Sequence, residues 1–339
     1  MKQKIELEEI QAKIGQGLKL NPTGSWPKSH HKLDEKQVHA IIAAVGSERP
    51  ILVKGEPGVG KSQMARAAAH VLKREFISFV VQPDTEYQEL LWNIDYTRRL
   101  GDAQLMSTEA GMKTVQDKNR EADDLLAIDH YIGPGPLWWA VNPRTAQAYC
   151  SGKNYQINSP ADSGSSKNKA PNQTENMIQK GVVLLIDELD KADVSLSHSL
   201  LEVLGNGEFL VSPIGLTVQS ETDMVKPLII LTSNNTRQLP AALERRCVQL
   251  NLELPEDLEP YLVDIGKQHF PKMNKDIRQR AASQIVEDRN DCDGFPKTGL
   301  AEYLDLLRAL NHVSEDPETQ SEWLSKLVTH FKKSNRPAF

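Results

Sequence analysis

Apolar residues along the chain follow two different spacings, and these alternate from Pro50 onward. Short runs rich in aliphatic residues have the length and composition of strands. Such runs occupy residues 51–55, 76–81, 182–187, 228–232 and 248–254. Between them, residues 61–75 and 195–204 carry apolar side chains at helical spacing. Continuous aliphatic strands separated by helices predict an α/β fold, in which helices flank a parallel sheet.

The segments outside this alternation divide the chain into further predicted regions. Residues 1–36 are polar, so we expect an N-terminal polar and helical extension before a core at 37–254. An insertion at about 87–176 interrupts the core, and its part at 151–176 is rich in Ser, Asn, Lys, Gly and Pro, which predicts a mobile loop. Residues 255–339 have helical spacing throughout and predict a small all-α domain. Its apolar stripe consists of Leu300, Tyr303, Leu304, Leu307 and Leu310.

Residues 55–62, Gly-Glu-Pro-Gly-Val-Gly-Lys-Ser, match the phosphate-binding pattern G-x-x-x-x-G-K-[ST] between a predicted strand and a predicted helix. Its glycines let consecutive backbone N–H groups face inward as an anion nest, and the helix N-terminus adds positive potential. Lys61 can reach the β- and γ-phosphates of a nucleotide, and the Ser62 hydroxyl can bind Mg²⁺. The alternative is a glycine-rich turn that matches by chance, which the flanking strand and helix disfavour.

Two further predicted strands end in polar residues at the edge where open α/β sheets bind ligands. Asp187 and Glu188 follow the first strand, and Asn234 follows the second. Asp187 could hold the hydration shell of Mg²⁺, Glu188 could polarise the attacking water, and Asn234 could orient that water. The alternative for each is a polar turn at a strand end, and the phosphate-binding motif favours the catalytic interpretation.

Arg245 and Arg246 follow a short predicted helix. A guanidinium donates two parallel N–H bonds to phosphate oxygens, so either arginine could act on a nucleotide held by a neighbouring subunit. Taken alone, these two residues favour a solvated helix end.

Composition and charge limit the remaining classes. The 339 residues suffice for about two domains, and the net charge of -6 gives no support for a broad duplex-DNA surface. The three cysteines, Cys150, Cys247 and Cys292, are too widely spaced for a metal site or a disulfide framework, which fits a reducing, cytoplasmic compartment. The adjacent His30 and His31 favour solvated side chains over a shared metal. No aliphatic run approaches the roughly 20 residues of a membrane span, and the start has no apolar signal core.

Taken in order, the segments GEPGVGKS, VVLLIDE, LTSNN and LERRC resemble the motifs of AAA+ ATPases, most closely those of the MoxR branch. Residues 133–140 and 200–209 also resemble segments of that branch, and the resemblance extends over about residues 36–310. It implies a P-loop NTPase core with a helical lid at 255–339, and ATP and Mg as cofactors. The nucleotide contacts would come from Glu56, Pro57, Gly58, Val59, Gly60, Lys61, Ser62 and Gln63.

The same resemblance gives single residues a role in ATP binding and hydrolysis. Lys61 and Ser62 would belong to Walker A, and Asp187 and Glu188 to Walker B. Mg²⁺ would be held by Ser62 and Asp187. Asn234 would be sensor 1.

Arg246 would be the arginine finger, with Arg245 as the alternative. Lys297 stands where the family has the sensor 2 arginine of the lid. A lysine there keeps the charge but loses the bidentate fork.

Insertions at the position of residues 87–176 lie near the central pore of such rings, so Trp138 and Trp139 could touch a substrate chain. The favoured interpretation is that both tryptophans pack the insertion onto the core. Residues 207–218 are predicted to form a hairpin, either at the pore or as a plain excursion of the sheet.

The resemblance implies a homo-oligomeric ring, expected to be hexameric, that hydrolyses ATP to remodel or activate a partner protein. Such partners often carry a von Willebrand factor A domain. The alternative is a nucleic-acid-dependent motor or loader on the same core, which the net charge does not support. A scaffold with very slow turnover conflicts with Glu188, and a small-molecule kinase would leave the arginine pair and the lid without a role.

Overall fold

The computed structural model describes residues 8–107, 126–151, 171–292 and 297–333, with the backbone alone for 151 and 171–173. The described strands are β1 (Gly17–Leu20), β2 (Ser29–Lys32), β3 (Ile51–Gly55), β4 (Glu75–Val80), β5 (Trp92–Ile94), β6 (Ile132–Pro134), β7 (Val182–Asp187), β8 (Glu208–Val211), β9 (Leu216–Gln219), β10 (Leu228–Ser233) and β11 (Val248–Leu252). The described helices of five or more residues are α1 (Glu35–Ser47), α2 (Lys61–Leu72), α3 (Tyr87–Leu91), α4 (Tyr96–Met106), α5 (Pro136–Val141), α6 (Pro143–Ser151), α7 (Pro171–Lys180), α8 (Val194–Asn206), α9 (Ala241–Arg246), α10 (Leu258–His269), α11 (Lys275–Asp291), α12 (Leu300–Val313) and α13 (Pro317–Phe331).

The predicted parallel sheet is confirmed, with the strand order β11-β3-β10-β7-β4 among the described residues. Successive side chains of β7 enter two separate cores: Val183 and Leu185 face one, and Leu184 and Ile186 face the other. Because both faces are covered, the strand has no polar position before its last residue. The carboxyl ends of all five strands therefore meet at one edge of the sheet.

The helix predicted at 61–75 is shorter than expected. It ends at Leu72 because Lys73 adopts the left-handed conformation, with φ 55°, and caps the last turn. Strand β4 then begins at Glu75.

The N-terminal segment also contains strands, because residues 17–32 include the antiparallel hairpin β1–β2, which packs against the core. Leu18 and Leu20 are buried, and Arg66 of α2 holds the hairpin through the Asn21 carbonyl and the Ser29 hydroxyl. Alternation in so short a strand is too brief to be recognised from the sequence.

The expectation of solvated histidines is wrong for His31. A Cβ added to Gly60 would lie 3.8 Å from His31 Cε1, so this ring lies against the phosphate-binding motif. Its Nε2 is 3.0 Å from Gln37 Oε1, and burial lowers the pKa of His31 below its ordinary value. The hairpin brings the ring to this position, which the local sequence does not specify.

The tryptophans of the insertion pack inside the protein, which confirms the favoured interpretation. Trp138 is 0% exposed and Trp139 is 2% exposed, so neither can touch a substrate chain in this conformation. Trp138 Nε1 donates to Thr145 Oγ1 at 3.0 Å. The loop predicted at 151–176 lies outside the described residues from 152 to 170, and its end is helical instead, as part of α7.

The predicted hairpin at 207–218 is confirmed as β8–β9, with Gly215 in the left-handed conformation at its turn. The C-terminal region is helical, also as predicted, and α10 to α13 share a core of their own. Tyr303, Leu307 and Leu310 face that core, whereas Leu300 and Leu304 also line a cavity next to the sheet. Within the described ranges, no helix is both long enough and apolar enough to span a membrane.

Candidate functional site

A cavity of about 1080 Å³ opens at the carboxyl edge of the sheet. Its walls come from the phosphate-binding motif, the β1–β2 hairpin and the first turns of α12. The lining includes residues 57–63, Asp187, Glu188 and Asn234, so the structure brings together most of the predicted site. Glu56, Lys297 and Arg246 are not among the lining residues.

The loop at the cavity wall has the shape that the motif predicts. Gly58 and Gly60 have φ values of 79° and 102°, which a residue with a side chain rarely adopts. Helix α2 then begins at Lys61 with Gly60 as its N-cap. The unpaired N–H groups of the first turn and the helix dipole make this end a site for phosphate.

Lys61 is buried under this loop, with 7% of its surface exposed. Its Nζ donates to the Gly55 and Glu56 carbonyls at 2.9 Å each and to Asn234 Oδ1 at 2.6 Å. Burial lowers the pKa of Lys61, and the carboxylates of Asp187 and its acidic neighbours oppose this shift. The ammonium group is thus held between the loop and the end of β10.

Ser62 and Asp187 are placed to bind a metal ion together. The Ser62 hydroxyl donates to Asp187 Oδ2 at 2.8 Å, and the Thr232 hydroxyl donates to Asp187 Oδ1. A hydroxyl and a carboxylate are oxygen ligands of the kind that Mg²⁺ takes when phosphates supply others. Ser62 and Asp187 therefore fit a Mg²⁺ ion that is shared with a nucleotide.

Glu188 lies at the sharp turn after β7, in the left-handed conformation with φ 61°. Its backbone N–H donates to Thr232 Oγ1 at 2.9 Å. Asn234 Nδ2 donates to Glu188 Oε1 at 3.3 Å, and Lys191 Nζ lies 2.5 Å from Glu188 Oε2. Asn234 thus links Lys61 of the loop to the Glu188 carboxylate that follows β7.

Asp190 fixes the turn that carries Asn234, and the sequence reasoning missed it. Its carboxylate, 2% exposed, accepts from the Asn234 N–H at 3.1 Å, the Thr236 N–H at 2.9 Å and the Thr236 hydroxyl at 2.6 Å. Despite burial, these hydrogen bonds keep the pKa of Asp190 below its ordinary value. In the sequence, Asp190 looks like one more polar residue in an acidic turn. The only available signal was its separation of three residues from Asp187.

Comparison with known families decides the class. A model of the AAA ATPase domain matches residues 35–215, more than half of the chain. The chain belongs to the AAA ATPase family. The match includes the phosphate-binding motif and the Asp187-Glu188 pair, whose geometry is given above.

Several solved structures resemble this AAA ATPase in fold. A candidate ATPase of Cytophaga hutchinsonii is 13% identical over 95% of this chain and 84% of its own, with a TM-score of 0.41. A RuvB variant of Thermotoga maritima is 13% identical over 88% of this chain and 70% of its own, with a TM-score of 0.44. No curated protein matches the sequence.

Arg246 lies at the edge of the AAA sheet opposite the cavity. It is the last residue of α9, and only Cys247 separates it from β11, whose first residue pairs with Ile51 at the start of β3. The Arg49 side chain donates to the Arg246 carbonyl. The four residue steps from Ile51 to Gly55 span about 13 Å. The Arg246 guanidinium points to the Leu201 carbonyl of α8, 2.6 Å away. It therefore lies outside the phosphate site of its own chain.

Arg245 is exposed, and its guanidinium has no hydrogen-bond partner among the described residues. The geometry does not choose between the two arginines as the finger. Lys297 is half-buried outside the cavity lining, so this structure does not bring it to the site. Phe295 and Pro296, which precede Lys297 in the sequence, lie outside the described residues.

Proposed function

We propose that the chain is a Mg²⁺-dependent ATPase that works as a homo-oligomeric ring, most simply a hexamer, and remodels or activates a partner protein as MoxR-like ATPases do. The proposal rests above all on one observation. Lys61, Asn234 and Glu188 form a continuous hydrogen-bonded series beside the Ser62–Asp187 pair. This arrangement at one edge of the sheet supports a role of these residues in phosphate binding and water activation.

Phosphate groups would bind residues 57–63, where the start of α2 supplies N–H donors and Lys61 supplies a charge. Ser62 and Asp187 would hold Mg²⁺, which neutralises charge on the β- and γ-oxygens when bound. Burial of Lys61 strengthens its attraction to phosphate, because little water screens the pair.

Hydrolysis would use Glu188 as the general base. A water oxygen attacks the γ-phosphorus while the Glu188 carboxylate accepts a proton from that water. The bond between the γ-phosphorus and the β–γ bridging oxygen breaks, and ADP leaves with the electron pair. Asn234 contacts both Glu188 and Lys61, so it would hold the base in register with the γ-phosphate.

We further propose that Arg246 acts on the nucleotide of a neighbouring copy, with Arg245 as the alternative. The support is its place near the edge of the sheet opposite the cavity, with its guanidinium bonded to the Leu201 carbonyl outside the phosphate site of its own chain. A guanidinium supplied in this way would stabilise the charge that develops on the transferred phosphoryl group.

Subunit mixing tests the ATPase and the shared site together. Glu188→Gln and Arg246→Ala should each abolish most ATP turnover, whereas a one-to-one mixture should recover activity, because about a quarter of randomly formed interfaces pair an intact site with an intact arginine. Phosphate release is measured against protein concentration, with light scattering for assembly. If Arg246→Ala alone turns over ATP like the wild type at all concentrations, Arg246 is not the finger, and Arg245→Ala takes its place in the same design.

The protein partner, such as one with a von Willebrand factor A domain, is supported by the resemblance alone. The Glu188→Gln variant should bind ATP without turning it over, and so retain a bound partner. Recovery of nucleic acid alone from such a capture would contradict the remodelling role and favour a nucleic-acid motor.

A further inference from the structure

An arginine of the C-terminal helical region binds the phosphate-binding loop from outside the cavity. Arg289, near the end of α11, donates to Glu56 Oε2 at 2.8 Å and to the Thr298 carbonyl at 3.1 Å. Arg289 is mostly buried and Glu56 is about one-third exposed. Glu56 is the second residue of the motif, and it does not line the cavity. Its carboxylate therefore offers Arg289 an ion-pair partner on the outer side of the loop.

A second contact meets the same loop two residues later. A Cβ added to Gly58 would lie 2.8 Å from the Ala301 Cβ, so the first turn of α12 rests against the glycine. The loop is thus fixed at Glu56 by an ion pair and confined at Gly58 by direct packing. Both contacts come from the C-terminal helical region.

The segment that presents these contacts is itself fixed to α11. Asp288, which is fully buried, accepts hydrogen bonds from the Thr298 hydroxyl and from the Lys333 N–H at 2.9 Å. Thr298 in turn accepts from Arg289 through its carbonyl. Arg289 therefore belongs to a connected unit that moves with the start of α12.

We propose that Arg289 is a positioning residue that, through Glu56, holds the phosphate-binding loop in its nucleotide-ready shape and couples nucleotide binding to the position of the C-terminal helices. The physical reason is entropic. Gly58 and Gly60 leave the loop free to adopt many conformations, and an external restraint lowers the cost of ordering it around phosphate. The inference takes its ligand from the proposed function.

This role differs from the one that the resemblance gives Lys297. A sensor 2 residue would touch phosphate directly, whereas Arg289 is engaged by the loop and by Thr298. In the proposal, the phosphate-binding loop transmits the effect of Arg289 to the bound nucleotide, because Arg289 contacts Glu56 of that loop.

Binding of MgADP to the full-length protein, followed by calorimetry, tests the inference without any need for hydrolysis. Arg289→Ala should weaken binding about three- to tenfold, and Arg289→Lys should retain most of the affinity because it keeps the charge. In a Glu56→Ala background, Arg289→Ala should change the dissociation constant for MgADP by less than about a further twofold, because Arg289 acts through Glu56. An equal loss in both backgrounds would show that Arg289 acts on phosphate directly and overturn the inference.

Arg280→Ala is the matched control, since Arg280 lies exposed on the same helix and bonds to Ser321 instead. It should leave the dissociation constant within about twofold. Should Arg289→Ala fail to fold, Arg289→Gln and Arg289→Lys carry the comparison, with thermal unfolding as the check.

Steady-state kinetics separates positioning from chemistry. Arg289→Ala should raise KM for ATP and change kcat less than about twofold, the pattern of lost ground-state binding. A fall in kcat at unchanged KM would overturn the inference. If the wild type hydrolyses no ATP, the proposed function fails, while the MgADP measurements still decide the role of Arg289.

Discussion

Asn234 reaches Lys61 and Glu188 from a turn whose backbone is held by the buried Asp190. The carboxylate accepts hydrogen bonds from three donor groups of that turn and lies only two residues after Glu188. A single side chain therefore sets the spacing between the segments that follow β7 and β10. Loss of that spacing would affect chemistry more than phosphate binding, because Lys61 keeps its other contacts to the loop.

Asp190→Ala should lower kcat for ATP by about 10- to 100-fold, since a displacement of about 1 Å in a catalytic group has effects of this size. The dissociation constant for MgADP should change less than about threefold, because residues 57–63 stay in place. Steady-state turnover and nucleotide titration measure the two quantities.

Asp193→Asn is the control for that change. Asp193 carries the same charge on the same segment, but it is exposed, and its ion pair with Arg237 is 3.9 Å long. A kcat for Asp190→Ala equal to that of Asp193→Asn would contradict the positioning role.

At the residue scale, the sequence indicates positions whose proposed chemistry follows chain order. A fixed spacing or a strand end marks Lys61, Ser62, Asp187 and Asn234, which the structure brings together. Arg289 and Asp190 were missed because their roles depend on contacts between segments that no local pattern links. Thr232 was an intermediate case, since a polar residue that ends an aliphatic run is visible in the sequence but its bonds to Asp187 and Glu188 are not.

At the scale of elements, the β1–β2 hairpin is the part that sequence patterns describe least well. Its strands have four residues each, so hydrophobic alternation has no room to repeat. Long strands such as β7 and β10, by contrast, declare themselves through continuous aliphatic sequence. The hairpin nevertheless supplies one wall of the cavity, including His31.

Arg66 is the main link between that hairpin and α2, the helix that follows the phosphate-binding loop. It is buried, stacks near the Trp26 ring and bonds to Asn21 and Ser29. Arg66→Ala should lower the free energy of unfolding by about 2 kcal/mol, because charge-assisted hydrogen bonds are lost and acceptors are left without a donor. Denaturant unfolding measures this effect.

Arg66→Lys should give an intermediate loss, since an ammonium group keeps the charge but cannot reach both acceptors in the same fork. Limited proteolysis should then cut the region before Leu33 faster in Arg66→Ala than in the wild type. Equal cleavage rates in the two proteins would mean that Arg66 does not hold the hairpin.

For the molecule as a whole, the hairpin, the sheet and the C-terminal helices meet around a few histidines. The His30 and His269 rings lie 5.1 Å apart in an edge-on arrangement, and His269 Nε2 is 3.2 Å from the His30 carbonyl. Burial, together with smaller contributions from the nearby His30, Arg308 and His31, lowers the pKa of His269 to about 4. The folded protein therefore favours a neutral His269 ring at its contact with His30.

Stability should consequently fall as the solution is acidified. The unfolded chain takes up a proton at His269 near pH 6.5, whereas the folded chain resists until about pH 4, so stability is lost as pH falls through this window. His269→Gln should reduce the drop in unfolding temperature between about pH 7.5 and pH 5 by about 2 °C or more. The change is partial because burial also lowers the pKa of His31.

His39→Gln serves as the control, because His39 lies mostly exposed on α1. It should leave the pH dependence of the unfolding temperature as in the wild type. If the unfolding temperature of His269→Gln depends on pH as that of the wild type does, His269 is not held neutral in the folded protein.

The placement of Arg246 and the cavity at opposite edges of one sheet gives the molecule a direction. If Arg246 of each copy contacts the nucleotide site of the next copy, the contact between copies is head-to-tail. An open string of copies would always leave one site without an arginine and one arginine without a site. Only a closed circle satisfies every copy, so the sheet's own polarity would make closure a condition for full activity.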